Sequence, residues 1–151
     1  MNGVGPVNQD FRDLFAEFNA LRVEYLIVGA HALAVHGHVR ATRDLDILIS
    51  PQAANARRVL EALKSFGAPT HDLTVEDLSE PELVFQIGVP PVRIDILTSI
   101  SGVEFPEAWE ARVFTRFGDQ EVGVLSREHL VRNKRASGRT QDLADLESLG
   151  E

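Results

Sequence analysis

Apolar residues recur at i, i+3, i+4, i+7 and i+10 through Phe11, Leu14, Phe15, Phe18 and Leu21, which places them on one stripe of a helix near residues 9 to 21. The pattern then becomes continuous. Residues 23-VEYLIVG-29 read as a buried strand ended by Gly29, and 30-AHALAVH-36 as a short alanine-rich helix closed by Gly37. The next strand is predicted at 45-LDILI-49. Ser50 and Pro51 stand where an N-cap and a first-turn proline belong, a helix follows to about Phe66, and Gly67 stops it. Two further runs, 83-LVFQIGV-89 and 92-VRIDILTS-99, are joined by Pro90 and Pro91 and predict adjacent antiparallel strands. Beyond them come a short helix around Pro106 to Arg112, a hairpin through Gly118, and helices over 127–137 and 141–149. Gly138 and Arg139 separate the last two, with Thr140 as the cap.

Alternating strands and helices followed by an antiparallel pair imply an α+β fold, a mixed β-sheet with helices packed on it. A chain of 151 residues without internal repeat or long linker suits one domain, with a core over about 8–100 and a C-terminal hairpin and helices over about 104–149. Hydrophobic residues make up 44% and charged residues 25%, an ordinary globular balance, and no run approaches the roughly 18 apolar residues of a membrane span. The N-terminal MNGVGPVNQD lacks the layout of a secretory signal, and without cysteine there are no disulfides. The expectation is a cytoplasmic protein with no membrane partner.

A net charge of −8 argues against general attraction to nucleic acid or anionic lipid. The charge is uneven, however. Between Arg127 and Arg139 five basic residues (Arg127, Arg132, Lys134, Arg135, Arg139) meet one acid, Glu128, giving this segment +4 and the remainder −12. Such a run is either a solvated helix face or a patch aimed at something anionic.

The candidate chemistry lies in the acids. Side chains alternate along a strand, so Asp44 and Asp46 point the same way with Leu45 opposite. A polar outer face gives the same pattern, and so the pair is not specific alone. Asp95 adds a third acid inside the apolar run 92-VRIDILTS-99, where its alternative reading is a surface pair with Arg93. If Asp95 lies beside the other two, each pair of charges at about 4 Å repels by roughly 4 kcal/mol at an effective dielectric near 20. Hard oxygen donors of this kind suit Mg²⁺ or Mn²⁺ bound together with a substrate phosphate, the arrangement of two-metal phosphoryl transfer. Gly29 ends a strand where a helix begins, so a triphosphate can approach the helix N-terminus; an ordinary strand-to-helix turn gives the same residue. Arg40, Thr42 and Arg43 precede the acids and are either phosphate donors or plain loop residues. His31, His36 and His38 lack an H-E-x-x-H arrangement or a cysteine partner, which argues against zinc.

These pieces together resemble the nucleotidyltransferase superfamily that includes DNA polymerase beta, and particularly its abortive-infection (AbiEii-like) toxin group. The resemblance rests on V28-G29-A30 with A32-L33, on R40-x-T42-x-D44-L45-D46, on R93-I94-D95-I96, and on the segment from Lys134 to Leu146, KRASGRTQDLADL. It implies Asp44 and Asp46 as metal ligands, and Asp95 as a ligand and the acid that activates the acceptor hydroxyl. It further implies nucleotide contacts from Gly29, Ala30, Arg40, Thr42 and Lys134, with Asp142 orienting the lysine. The sequence departs from the family at Ala30, where Gly or Ser is usual and a hydroxyl contact to phosphate would be lost, and at His31, where a small or hydroxylated residue is common. The expected activity is metal-dependent transfer of a nucleoside monophosphate from an NTP to a hydroxyl on RNA, protein or a small molecule, with an antitoxin or regulatory chain as a further partner. A non-catalytic nucleotide-binding or toxin–antitoxin partner module of the same fold is the alternative, favoured by Ala30. A metal-dependent nuclease is a third, but it gives no role to Gly29 or Lys134.

Overall fold

The computed structural model describes residues 8–39, 44–88 and 92–151. The first apolar stripe forms α1 (Gln9–Ala20), started by Asn8, whose side-chain oxygen accepts the N–H groups of Asp10 and Phe11. Then follow β1 (Tyr25–Val28), α2 (Gly29–Val35), β2 (Asp44–Ile49), α3 (Ala53–Phe66), a 3-10 turn (Asp77–Ser79), β3 (Val84–Ile87) and β4 (Arg93–Leu97). The C-terminal part supplies α4 (Phe105–Glu110), the hairpin β5 (Val113–Phe117) and β6 (Gln120–Val124), α5 (Arg127–Ser137) and α6 (Thr140–Ser148). The link through Pro90 and Pro91 lies outside the described residues.

Two helix starts differ from the sequence expectation. Ser50 does not cap α3, because the helix starts at Ala53 and Gln52 takes the N-cap position, while the Ser50 N–H donates to the Glu24 carbonyl at 3.2 Å and prolongs the pairing of β2 with β1. Helix α3 begins two residues after Pro51, and Asn55 in its first turn ties it to both strands. The Asn55 amide donates to the Ser50 and Glu24 carbonyls at 2.8 and 3.1 Å, while its oxygen accepts the Glu24 N–H at 2.7 Å. Likewise Thr140 is the first residue of α6 and Arg139 is its cap, its N–H accepted by the Asp142 carboxylate at 3.2 Å. Gly67 and Gly138 end α3 and α5 in the left-handed conformation that glycine adopts without a Cβ clash.

Among the described residues six strands form one mixed sheet in the order β3-β4-β2-β1-β6-β5. β1 is antiparallel to β2 and parallel to β6, while β2 is parallel to β4, so β4 and not β1 flanks β2 on the side away from the hairpin. Partners across a ladder share a face. Tyr25, Ile27, Leu45, Ile47, Ile49, Ile94 and Ile96 therefore point to one side, where Tyr25 meets the rings of Phe15 and Phe18 from α1 at 5.8 and 5.0 Å. Both phenylalanines are fully buried, and each burial contributes about 1.5–3 kcal/mol. The acids point to the other side. No described helix is long and apolar enough to cross a membrane.

Candidate active site

The parallel pairing of β2 with β4 decides what surrounds the acids. Its register sets Asp46 opposite Asp95 and Asp44 opposite Arg93, with the strands about 4.8 Å apart, so three carboxylates and one guanidinium share a small patch. On the other flank Val28 pairs with Asp46, which brings the turn from β1 into α2 alongside the same patch. Gly29 sits in that turn at φ +68°, and a Cβ there would collide with the Asp46 carboxylate. The Asp46 side chain thus lies across a backbone that only glycine leaves open. Ala30 follows, buried, and Val28 at the N-cap provides no side-chain cap. Arg40 and Thr42 lie outside the described residues.

Arg93 occupies the middle of the group. Its Nε donates to Asp95 Oδ1 at 3.1 Å, and its Nη2 donates to Asp44 Oδ2 at 3.4 Å and to Asp95 Oδ2 at 3.5 Å. Asp46 has no share in this bridge. Burial, followed by the charges of Asp95 and Asp44, pushes its carboxyl up to about 6, and Arg93 and Arg139 offset only part of that push. His31 packs edge-on against Phe11 at 5.7 Å and near Phe117, and burial holds its pKa below the usual imidazole range. His36 Nε2 lies 2.7 Å from the Leu125 carbonyl, so it serves the packing of α2 against the end of β6.

Of the five cations in the C-terminal basic segment, Lys134 is buried and the four arginines are exposed to solvent. The Lys134 ammonium is buried between α5 and α6, 2.8 Å from Asp145 Oδ2 and 3.5 Å from Asp142 Oδ1. Asp142 also accepts the Arg139 guanidinium at 2.8 and 3.2 Å. Burial works to raise the Asp142 pKa, but the hydrogen bonds from Arg139 and Ser137, with the Arg139 charge, outweigh it and hold the carboxyl at about 2. The Arg139 side chain is 76% exposed, and its charge and that of Asp46 stabilise one another. Three features were not expected from the sequence: the reach of Arg93 to Asp44 as well as to Asp95, the primary role of Asp145 at Lys134, and the placement of Arg139 within the field of Asp46. The repeated acids in 142-DLADL-146 were the available signal for Asp145, since only the helix packing decides which of two acids three residues apart meets the lysine.

As a donor set the patch fits a divalent cation: carboxylate oxygens are the ligands that Mg²⁺ and Mn²⁺ prefer, and one or two suffice when phosphate and water complete the shell. Among the described residues no three acids or histidines already converge as a metal cage.

Comparison with known proteins agrees with this arrangement of the sheet. Residues 7–150 match the family model described as "Nucleotidyltransferase of unknown function (DUF6036)". Similar solved structures include TM1012 from Thermotoga maritima, assigned to the nucleotidyltransferases, at 14% identity and a TM-score of 0.62, covering 93% of this chain and 89% of that one. The lincomycin-bound lincosamide antibiotic adenylyltransferase LnuA is similar at 17% identity and a TM-score of 0.57, covering 95% and 96%. An antigenic nucleotidyltransferase-like protein from Paracoccidioides brasiliensis follows at 18% identity and 0.53, covering 90% and 70%. At these identities the likeness is one of fold. No curated protein matches the sequence significantly.

Proposed function

We propose, from the premise that the chain belongs to the nucleotidyltransferase family DUF6036, that it is a divalent-metal-dependent enzyme moving a nucleoside monophosphate from an NTP to a hydroxyl acceptor in the cytoplasm. The observation that carries this reading is the register that puts Asp46 beside Asp95, with Asp44 on the same face and Gly29 stripped of a side chain behind Asp46. Asp44, Asp46 and Asp95 would hold Mg²⁺ or Mn²⁺, which when bound neutralises charge on the triphosphate and lowers the pKa of the attacking hydroxyl. Asp95 would take the proton of that hydroxyl at a carboxylate oxygen. The backbone N–H groups of Gly29 and Ala30, at the start of α2 where Val28 makes no side-chain cap bond, would donate to a phosphate oxygen. Arg40 and Thr42 would add donors from the segment leading into β2.

Lys134 and Asp142 have a distinct part. The lysine fastens α5 to α6 through Asp145 and Asp142, and Asp142 in turn holds Arg139, the cation within the field of Asp46. For Lys134 itself to reach a phosphate it would have to leave two carboxylates, so its support for nucleotide binding is best read as positioning. The acceptor class is RNA, protein or a small molecule; the adenylyltransferase of the same fold that was solved with lincomycin makes a hydroxylated small molecule worth testing first.

Incubation of the full chain with each α-labelled NTP and Mg²⁺ or Mn²⁺, against RNA, protein and small-molecule hydroxyl pools, should transfer label and release pyrophosphate. Asp46→Asn should lose both. Ala30, a buried methyl where a hydroxyl would serve phosphate, favours a second reading: a nucleotide-binding module or toxin–antitoxin partner without turnover. Tight NTP binding with no pyrophosphate release under any of these conditions would select it.

A further inference from the structure

We infer that Arg93 is an internal counter-ion that occupies two of the three carboxylates and yields them only when nucleotide is present, so that divalent metal enters together with the triphosphate and not ahead of it. This rests on the metal-dependent reading above and adds to it the order in which the site is filled.

The geometry sets up a direct competition. One guanidinium serves Asp95 through Nε and Nη2, at 3.1 and 3.5 Å, and serves Asp44 through Nη2 at 3.4 Å. A divalent ion of the Mg²⁺ type needs carboxylate oxygens at about 2.0–2.1 Å in a near-octahedral shell. Arg93 donates to both oxygens of Asp95 and to Oδ2 of Asp44, so an ion that takes these carboxylates competes with the guanidinium for the same oxygens and is repelled by its charge, and Arg93 gives up at least one of its bonds. Proton loss offers no escape, because a guanidinium stays charged throughout the accessible pH range. The released group therefore needs another anion. A triphosphate supplies one, since phosphate oxygens match the guanidinium fork as well as a carboxylate does. Arg93 has somewhere to go, its side chain being 30% exposed.

Its position also makes the device local. Arg93 stands directly opposite Asp44 in the ladder and two residues from Asp95 on the same strand face, so the fixed sheet, and no mobile element, brings it to both. Bare metal would gain the carboxylates and lose the bridge; metal with nucleotide gains the carboxylates and rehouses the arginine. The two cases differ by the charge-assisted bonds of one guanidinium.

Mn²⁺ titration calorimetry on the full-length wild-type chain and on Arg93→Gln, each without and with a non-hydrolysable NTP analogue, tests the idea. Without nucleotide, Arg93→Gln should bind Mn²⁺ about tenfold or more tightly than wild type, the scale of one charge-assisted hydrogen bond no longer given up. With nucleotide the advantage should shrink severalfold. Should the glutamine variant fold poorly, the Arg93 Nε–H resonance of the wild-type chain gives the same answer: it should move little with Mg²⁺ alone and shift clearly once Mg²⁺ and analogue are both present. Equal Mn²⁺ affinity of the two chains without nucleotide, or a full resonance shift with Mg²⁺ alone, overturns the role of Arg93 and leaves the proposed reaction standing. Absence of Mn²⁺ binding to both chains, even with analogue, overturns the proposed reaction and this inference with it.

Discussion

Replacing Asp46 by Asn should make the metal-free protein more stable at neutral pH, and by an amount that depends on pH in a predictable direction. Burial and the neighbouring charges of Asp95 and Asp44 raise the Asp46 carboxyl from 3.8 to about 6 in the folded chain. The sign follows from proton counting. Above pH 7 the group is ionised in both states, and the folded state bears the whole cost of a buried charge beside two others. As pH falls through 6 the folded state takes up a proton that the unfolded state does not accept until about 3.8, so stability from this group rises. A shift of roughly two units corresponds to at most about 3 kcal/mol, at 1.36 kcal/mol per unit. Partial exposure and relaxation reduce that, and about 1–2 kcal/mol is expected. Asn removes the charge at nearly constant shape. Urea unfolding with a chelator present, from pH 4 to 8, should therefore show Asp46→Asn more stable than wild type at pH 7.5 and above, with the gap closing as pH approaches 4. A variant less stable than wild type at pH 8, or a gap that does not change with pH, would refute the assignment of Asp46 as a destabilised, functionally placed acid. Added Mg²⁺ with nucleotide should reverse the order by stabilising the wild type alone.

The remaining expectations follow from the same geometry. Gly29→Ala should lower stability by about 1–2 kcal/mol in denaturant unfolding, because the position needs φ near +68° and the new methyl displaces the Asp46 carboxylate. Lys134→Ala removes the ammonium between two buried carboxylates and should cost about 3–5 kcal/mol by the same assay, with Lys134→Met plus Asp145→Asn costing clearly less. Arg139→Ala should weaken binding of a non-hydrolysable NTP about tenfold in calorimetric titration, whereas Arg127→Ala, whose guanidinium is taken up by Glu151 and the Leu149 carbonyl, should not change it. Asp142 behaves opposite to Asp46: held at about 2, it contributes stability above pH 4 that is lost as pH falls toward 2, and Arg139→Ala, which removes the main cause of that low pKa, should lower stability at neutral pH and flatten its fall over that window.

What the chain announced in advance depended on whether the information was local. Helix α1 was legible because Phe11, Leu14, Phe15 and Phe18 repeat with the helix's own period, and all four are buried. The mixed sheet was legible from the apolar runs and from the proline pair that separates β3 from β4. That Asp44 and Asp46 share a face needed only the two-residue period of a strand. The partner of Asp46 was another matter. Asp95 is far along the chain, and its place opposite Asp46 depends on β4 lying next to β2, a sheet order no single strand encodes. The caps show the same limit at shorter range. Ser50 has the composition of an N-cap, yet it is held at the end of the β2 ladder on Glu24 and the helix starts three residues later, so tertiary pairing outweighed a local preference.

The C-terminal segment shows why a charge count alone misdirects. Its five cations suggest one positive surface, but the fold divides them by what each can reach. Arg127 and Arg135 pair with Glu151, Arg132 pairs with Glu107, and Lys134 is buried on Asp145 and Asp142. Arg139 is left at the start of α6, mostly exposed, bonded to Asp142 and within the field of Asp46. Each step has a physical cause: a buried ammonium must have buried carboxylates, those carboxylates lie on α6, and fixing α6 fixes its cap. The lysine thereby places the arginine. If Lys134 acts in this way, Lys134→Arg should keep the chain folded less well than wild type, since a larger guanidinium must fit a pocket sized for an ammonium. Its loss of NTP affinity should then track the loss of ordering at Arg139, read as the Arg139 Nε–H resonance, and not any direct contact. An Arg139 resonance unchanged in Lys134→Arg together with a large loss of NTP affinity would instead mean that the lysine itself leaves its two carboxylates to meet the phosphate.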